Sequence, residues 1–181
     1  MKNEKPILFN SEMVRAILDG RKTQTRRPVK FPLIDPDSGC QIAGCELNAQ
    51  IKALNGRKMP FPGVGENLWV RETFGHNGCS CCPIHYRATE PEWRENSSNP
   101  SARWYPSIHM HREDSRINLK VKRVWVERIQ EISEADISSE GVNNKCEPWT
   151  YWHDFANLWK SCGYEWGSNP WVWCCEFEVE R

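Results

Sequence analysis

Met13, Val14, Ile17 and Leu18 fall on one face at helical spacing, between Ser11, a good N-cap, and Gly20, where a left-handed C-terminal cap would sit. Residues 11–19 are therefore expected to form a short amphipathic helix. The apolar period then changes to two. After Gly65-Glu66, the run NLWVRETF sets Leu68 and Val70 against Trp69 and Arg71, as a strand does. Arg116 to Ile129 carries the longest such signal: Ile117, Leu119 and Val121 share one side, and the phase then flips to Val124 and Val126. A flip of this kind predicts a bulge or sharp bend near Lys122–Arg123. ISEADISSEG reads as a second short helix, with Ser133 and Asp136 as its capping pair and Gly141 at its end. A longer helix is expected over 148–162, where Trp149, Trp152, Phe155, Ala156 and Trp159 form a stripe that reads first as core. The last strand sets Trp171, Trp173, Cys175, Phe177 and Val179 on one face and Glu176 and Glu178 on the other.

Two stretches lack a clean period. Residues 31–62 are broken up by prolines and read as a loop or insertion. Residues 75–115 are irregular, with YRAT at 86–89 as a short strand candidate and ENSSNPS as an exposed loop. There is no internal repeat. Strands dominate the middle and end, and helices stand near the start and before the last strand. The expected fold class is α+β: one domain over 1–181, built on a small mixed sheet or barrel, with 31–62 and 75–115 as insertions.

Composition adds limits. Lys plus Arg and Asp plus Glu both number 24, so bulk charge demands neither nucleic acid nor membrane. The distribution is uneven: Arg15 to Lys30 holds six cations and one anion, while Glu131 to Glu147 holds five anions and one cation. Such asymmetry would draw a phosphate-bearing ligand to one side. The start MKNEKPILFN has no apolar run of signal-peptide length, and no window has the length and apolarity of a membrane span. With nine cysteines, an odd number, the chain is expected to be cytoplasmic with reduced thiols. Cys79, Cys81 and Cys82 lie between His76 and His85, but Cys40 and Cys45 are only a loose partner set, so neither metal nor cofactor is expected.

The concentrated chemistry is GRKTQTRR, bounded by Gly20 and Pro28. Arg21, Arg26 and Arg27 offer guanidinium groups suited to phosphate, and a lysine crowded by cations has its charged form disfavoured. A neutral Lys22 could serve as a base for a neighbouring hydroxyl such as that of Thr25. In a regular strand, however, Lys22 and Thr25 would point to opposite faces, so acting together requires a turn between them. His109 could meet a base edge or phosphate, and Trp69 and Trp104 could stack a base; packing explains all three equally well.

GRKTQTRR after a short amphipathic helix resembles the signature of the ASCH (activating-signal-cointegrator homology) family, small β-barrels related to the PUA RNA-binding fold. GENLWVRETF, RVWVERIQEISEADISSEG and NPWVWCCEFEV resemble further passages in the same order. With PSIHM and SRINL, the whole looks most like ASCH proteins of phages and prophages. A compact bacterial branch of that family hydrolyses N4-acylated cytidine with a lysine, a threonine and a glutamate, and the resemblance sets these on Lys22, Thr25 and Glu140. It implies that Lys22 deprotonates Thr25, that Thr25 attacks the acyl carbon, and that Glu140 protonates the leaving amine or positions water. Arg27 would hold an oxyanion or a phosphate.

Two function classes follow. One is an amidohydrolase acting on a modified nucleoside or nucleotide. The other is a non-catalytic module binding RNA or a nucleotide through the basic segment. Arg21, Arg26, Arg27, Trp69, Arg71 and His109 are the expected ligand contacts, and no membrane partner is expected.

Overall fold

The computed structural model of the chain describes residues 4–35, 37–54, 59–78, 83–142 and 151–180. In chain order, β1 (Glu4–Leu8), α1 (Ser11–Leu18) and β2 (Gln24–Pro28) come first, followed by α2 (Leu47–Leu54) and β3 (Asn67–Arg71). Then come β4 (Phe74–His76), β5 (His85–Tyr86), α3 (Trp93–Asn96) and β6 (Arg103–Tyr105). The last elements are β7 (Asn118–Arg128), α4 (Glu134–Ser139), α5 (Tyr151–Ser161) and β8 (Trp171–Glu180).

The architecture is α+β. A five-stranded mixed sheet has the order β1-β3-β7-β8-β2, and a three-stranded sheet has the order β5-β4-β6. β1 and β3 run parallel, while the other pairs of the larger sheet are antiparallel. The β7–β8 register shifts between Val121 and Arg123, the bulge that the phase flip predicts. Across it, Leu119, Val121 and Val126 all keep their side chains in one core. β1 and β2 end the ladder order, and the sheet curls until Arg27 spans them: its Nη2 donates to the Leu8 carbonyl at 3.1 Å.

β8 serves two cores. Trp173, Cys175 and Phe177 face the large cluster inside the curled sheet, whereas Val172 and Cys174 face a second cluster with Ile137, Phe155 and Trp159 beneath α4 and α5. Burying a large apolar side chain of this kind contributes roughly 1.5–3 kcal/mol. Trp171, Trp173, Cys175 and Phe177 thus share one face as expected, while the opposite face is apolar up to Cys174, beneath the helices, and turns polar at Glu176 and Glu178. Val179, expected on the apolar face, is exposed.

Other expectations need correction. Asn10, not Ser11, caps α1; its side chain accepts from the Met13 N–H at 2.8 Å, and Ser11 is the first helical residue. Leu18 is exposed, and the buried face of α1 is Val14, Ala16 and Ile17. The stretch 31–62 contains α2, where Leu47 and Leu54 are buried seven positions apart, two helical turns. The strand expected at 86–89 is instead β5, and Arg87–Thr89 form a turn. Trp152 is exposed at 36%, on the outer face of α5, while Phe155, Ala156 and Trp159 are buried as expected. Trp149 lies outside the described residues. Among the described residues, no helix is long and apolar enough to cross a membrane.

Candidate functional site

The segment after α1 is shaped by its backbone. Gly20 adopts φ +74°, and the chain folds back so that the N–H groups of Arg21 and Lys22 both donate to the Ala16 carbonyl, at 2.8 and 2.9 Å. Lys22 forms an isolated antiparallel bridge with Glu140, just past α4. Thr23 then changes partners: its N–H donates to the Ser139 carbonyl at 2.8 Å, and its own carbonyl accepts from Phe177 at 2.8 Å. β2 begins only at Gln24. Lys22 and Thr25 therefore do not share one regular strand, and the parity that would set them on opposite faces does not apply.

Both line a cleft of about 360 Å³, together with Arg26, Arg27 and Glu140. Phe9, Phe155, Leu158, Trp159 and Tyr164 form its apolar side. Behind the cleft, Gly141 fits tightly against Ala16 and Lys22. It has φ +84°, and a Cβ there would lie 2.9 Å from the Cβ atoms of both Ala16 and Lys22. Only glycine suits this conformation and this approach.

Lys22 is 2% exposed, and its Nζ donates to Glu140 Oε2 (2.6 Å), to the Glu140 carbonyl (2.9 Å) and to the Gln24 carbonyl (2.8 Å). These three acceptors match the three N–H bonds of an ammonium. Burial holds the Lys22 pKa below the ordinary lysine value and the Arg26 and Arg27 guanidinium groups push the same way, while Glu140 opposes them. Arg26, equally buried, donates from Nε to Glu127 Oε1 at 2.8 Å and from Nη1 to Glu140 Oε1 at 3.1 Å. The Glu140 carboxylate is thus held at one oxygen by Lys22 and at the other by Arg26.

Behind them, Gln24 Nε2 donates to Asp136 Oδ1 at 2.8 Å, and Ser133 donates to Asp136 Oδ2 at 2.7 Å. Partial burial raises the Asp136 pKa, but the bonds from Ser133 and Gln24 and the Arg26 charge outweigh it and hold the carboxyl below its usual range. On the cleft face of β2, Thr25 Oγ1 accepts from Arg27 Nη1 at 2.8 Å. Phe9 lies under two cations, 5.6 Å from Lys22 Nζ and 5.5 Å from the Arg27 guanidinium.

The remaining expected contacts lie elsewhere. Arg21 is exposed and ion-paired with Asp19 at 2.9 Å. Trp69 is buried under the guanidinium groups of Arg71 (4.7 Å) and Arg112 (5.9 Å), and Arg71 Nη1 donates to the Ile108 carbonyl at 3.4 Å. His109 is exposed beside a separate hollow with Phe74, His76, Tyr105 and His111. Trp104, on β6 of the smaller sheet, packs edge-on against Trp93 of α3 at 4.9 Å. None of Arg21, Trp69, Arg71 and His109 is among the residues lining the cleft. Cys79, Cys81 and Cys82 lie outside the described residues, and among the described residues no group of three or more His, Cys, Asp or Glu side chains could hold a metal ion.

Nothing in the sequence marks Phe9, Gln24 and Glu127 as site residues. Asp136 was visible as a capping residue, but its second partner, Gln24, stands 112 positions away. Phe155 and Trp159 of α5 are core on one side, as their stripe predicts, and cleft wall on the other.

No protein-family model matches the chain, and no curated protein matches it. Among solved structures, the chain is similar to the crystal structure of an ASCH domain from Lactobacillus crispatus, with 13% identity over 98% of this chain and 79% of that one, at a TM-score of 0.45. It is also similar to a protein from Enterococcus faecalis assigned to the DUF984 family, with 10% identity over 99% of this chain and 80% of that one, at a TM-score of 0.46.

Proposed function

We propose that the cleft is the active site of an amidohydrolase that removes an acyl group from the exocyclic nitrogen of a nucleoside-like ring, N4-acylated cytidine being the model substrate. The observation that carries this reading is the presence of Lys22, Thr25 and Glu140 in one cleft with an aromatic wall. In this reading the buried proton between Lys22 and Glu140 moves to the carboxylate, leaving a neutral amine and a carboxylic acid. The amine takes the Thr25 hydroxyl proton as Oγ1 attacks the acyl carbon. Arg27, already bonded to Oγ1, stabilises the oxyanion. Collapse breaks the C–N bond, and the leaving nitrogen takes the Glu140 proton. Water then adds to the acyl-threonine and gives a proton to the Glu140 carboxylate, and departing Thr25 recovers its proton from Lys22. One proton passing between the two side chains restores the starting pair. The depressed Lys22 pKa favours the first step.

A second reading is favoured by the hydrogen bonds of Lys22. All three of its donors are engaged and none reaches Thr25, an arrangement suited to a structural ion pair and to a cleft that binds a nucleotide or RNA without turnover. Incubating the protein with N4-acetylcytidine and measuring acetate separates the two. Release supports the hydrolase, and no release across a panel of acylated nucleosides and nucleotides removes it.

A further inference from the structure

We infer that the ligand of this cleft carries a phosphate ester, held by Arg27 and Lys30 in a groove that continues the cleft, so that a nucleotide and not a bare nucleoside is what fits; this rests on the reading of the cleft as a nucleoside site. Most cations of the basic segment are already neutralised. Lys22 is paired with Glu140, Arg26 with Glu127 and Glu140, and Arg21 with Asp19. Among the described residues, Arg27 and Lys30 make no ion pair. The positive charge of the basic segment is therefore spent within the fold at Arg21, Lys22 and Arg26, and stays available at Arg27 and Lys30.

Arg27 is fixed by neutral oxygens only. Its Nη1 donates to Thr25 Oγ1 and to the Arg26 carbonyl, both at 2.8 Å, and Nη2 donates to the Leu8 carbonyl at 3.1 Å. These contacts use three of the five N–H donors of a guanidinium and orient it without cancelling its charge. A half-buried, pre-oriented guanidinium with free donors is suited to a phosphate oxygen pair.

The groove supplies the place. Leu8, Arg27 and Tyr164 line both the cleft and a second hollow of about 450 Å³, which runs on past Pro28 to Lys30 with Met59 and Phe61 on its apolar side. Arg27 stands at the junction. Thr25 and Arg27 share one face of β2, so the reacting end and the cationic end lie along one line. With its acyl amide at Thr25, beside Nη1 of Arg27, a ligand reaches the unused Nε and Nη2 donors of Arg27 and then Lys30 only through a further, anionic group.

The test is titration calorimetry at low salt with cytidine, cytidine 5′-monophosphate and a cytidine-containing trinucleotide, on the unmodified protein and on Lys30→Ala. The monophosphate is expected to bind roughly tenfold more tightly than cytidine, with the preference fading as salt rises. Lys30→Ala is expected to cut that preference several-fold and to leave cytidine affinity unchanged. A trinucleotide that binds more tightly than the monophosphate assigns the phosphate to an RNA strand; equal or weaker binding assigns it to a free nucleotide. Equal affinity for cytidine and its monophosphate, or no nucleotide binding, overturns the inference. Loss of the hydrolase reading does not: a protein that releases no acetate yet keeps the phosphate preference retains this site, and one that turns over but shows no preference does not have it.

Discussion

Nζ of Lys22 lies 2.6 Å from Oε2 of Glu140, with both side chains out of solvent, and the other oxygen of the same carboxylate holds Arg26 at 3.1 Å. One carboxylate thus anchors two buried cations that come from either side of the start of β2. The arrangement ties the end of α4 to the basic segment and sets the floor of the cleft.

Removing either member of the buried pair leaves its partner's charge uncompensated. Lys22→Met and Glu140→Gln are each expected to cost about 3–5 kcal/mol of stability. The double variant should cost less than the two together by more than about 1 kcal/mol, because the residues interact directly. Urea unfolding of the four proteins measures this, and strictly additive effects would deny the coupling.

Gly141→Ala tests the tight packing behind Lys22. The left-handed backbone and the contacts with Ala16 and Lys22 together are expected to cost at least about 2 kcal/mol, a fall of roughly 4–8 °C in Tm for a chain of this size. A thermal scan reads it, and an unchanged Tm would mean that the segment moves aside freely.

Much of this was legible in the sequence where local physics decides. The phase flip in β7 marks a bulge because a slip of one residue would turn Val124 and Val126 out of the core. Gly20 and Gly141 stand where left-handed turns are needed. α2 escaped because its two buried leucines are flanked by polar residues and framed by prolines. The parity problem between Lys22 and Thr25 dissolved only in three dimensions, since the change of partner at Thr23 depends on Ser139 and Phe177. The neutralisation of Arg26 was likewise out of reach, as Glu127 is 101 positions away.

Asp136 gives a pH signature. Its folded pKa lies below the ordinary value of 3.8, so the stabilisation is fully present above that value and is lost as pH falls through the lowered one. The stability gap between the unmodified protein and Asp136→Asn should be constant near neutrality and shrink below about pH 4. Unfolding measured from pH 7 to pH 3 checks it, and a gap that widens on acidification reverses the sign.

The thiols report on the cleft. Burial pushes the Cys175 thiol up to about 12 and the Cys174 thiol higher still, while Cys162 is exposed on the cleft wall. Native alkylation at pH 8, read peptide by peptide, should modify Cys162 and spare Cys174 and Cys175 until the chain unfolds. Saturating N4-acetylcytidine should slow the Cys162 reaction several-fold. Rapid labelling of Cys174 would contradict the packing of β8, and an unprotected Cys162 would contradict ligand entry into the cleft.

The most direct test of the proposed hydrolase activity is the rate of acetate release from N4-acetylcytidine by Thr25→Val beside the unmodified protein, with Tm measured for both. Valine keeps the buried volume and puts a methyl group in place of the hydroxyl. Measurable release by the unmodified protein is expected, with a loss on the order of 10³-fold or more in the variant and the fold retained. Undiminished release by Thr25→Val, or none by the unmodified protein, would contradict it.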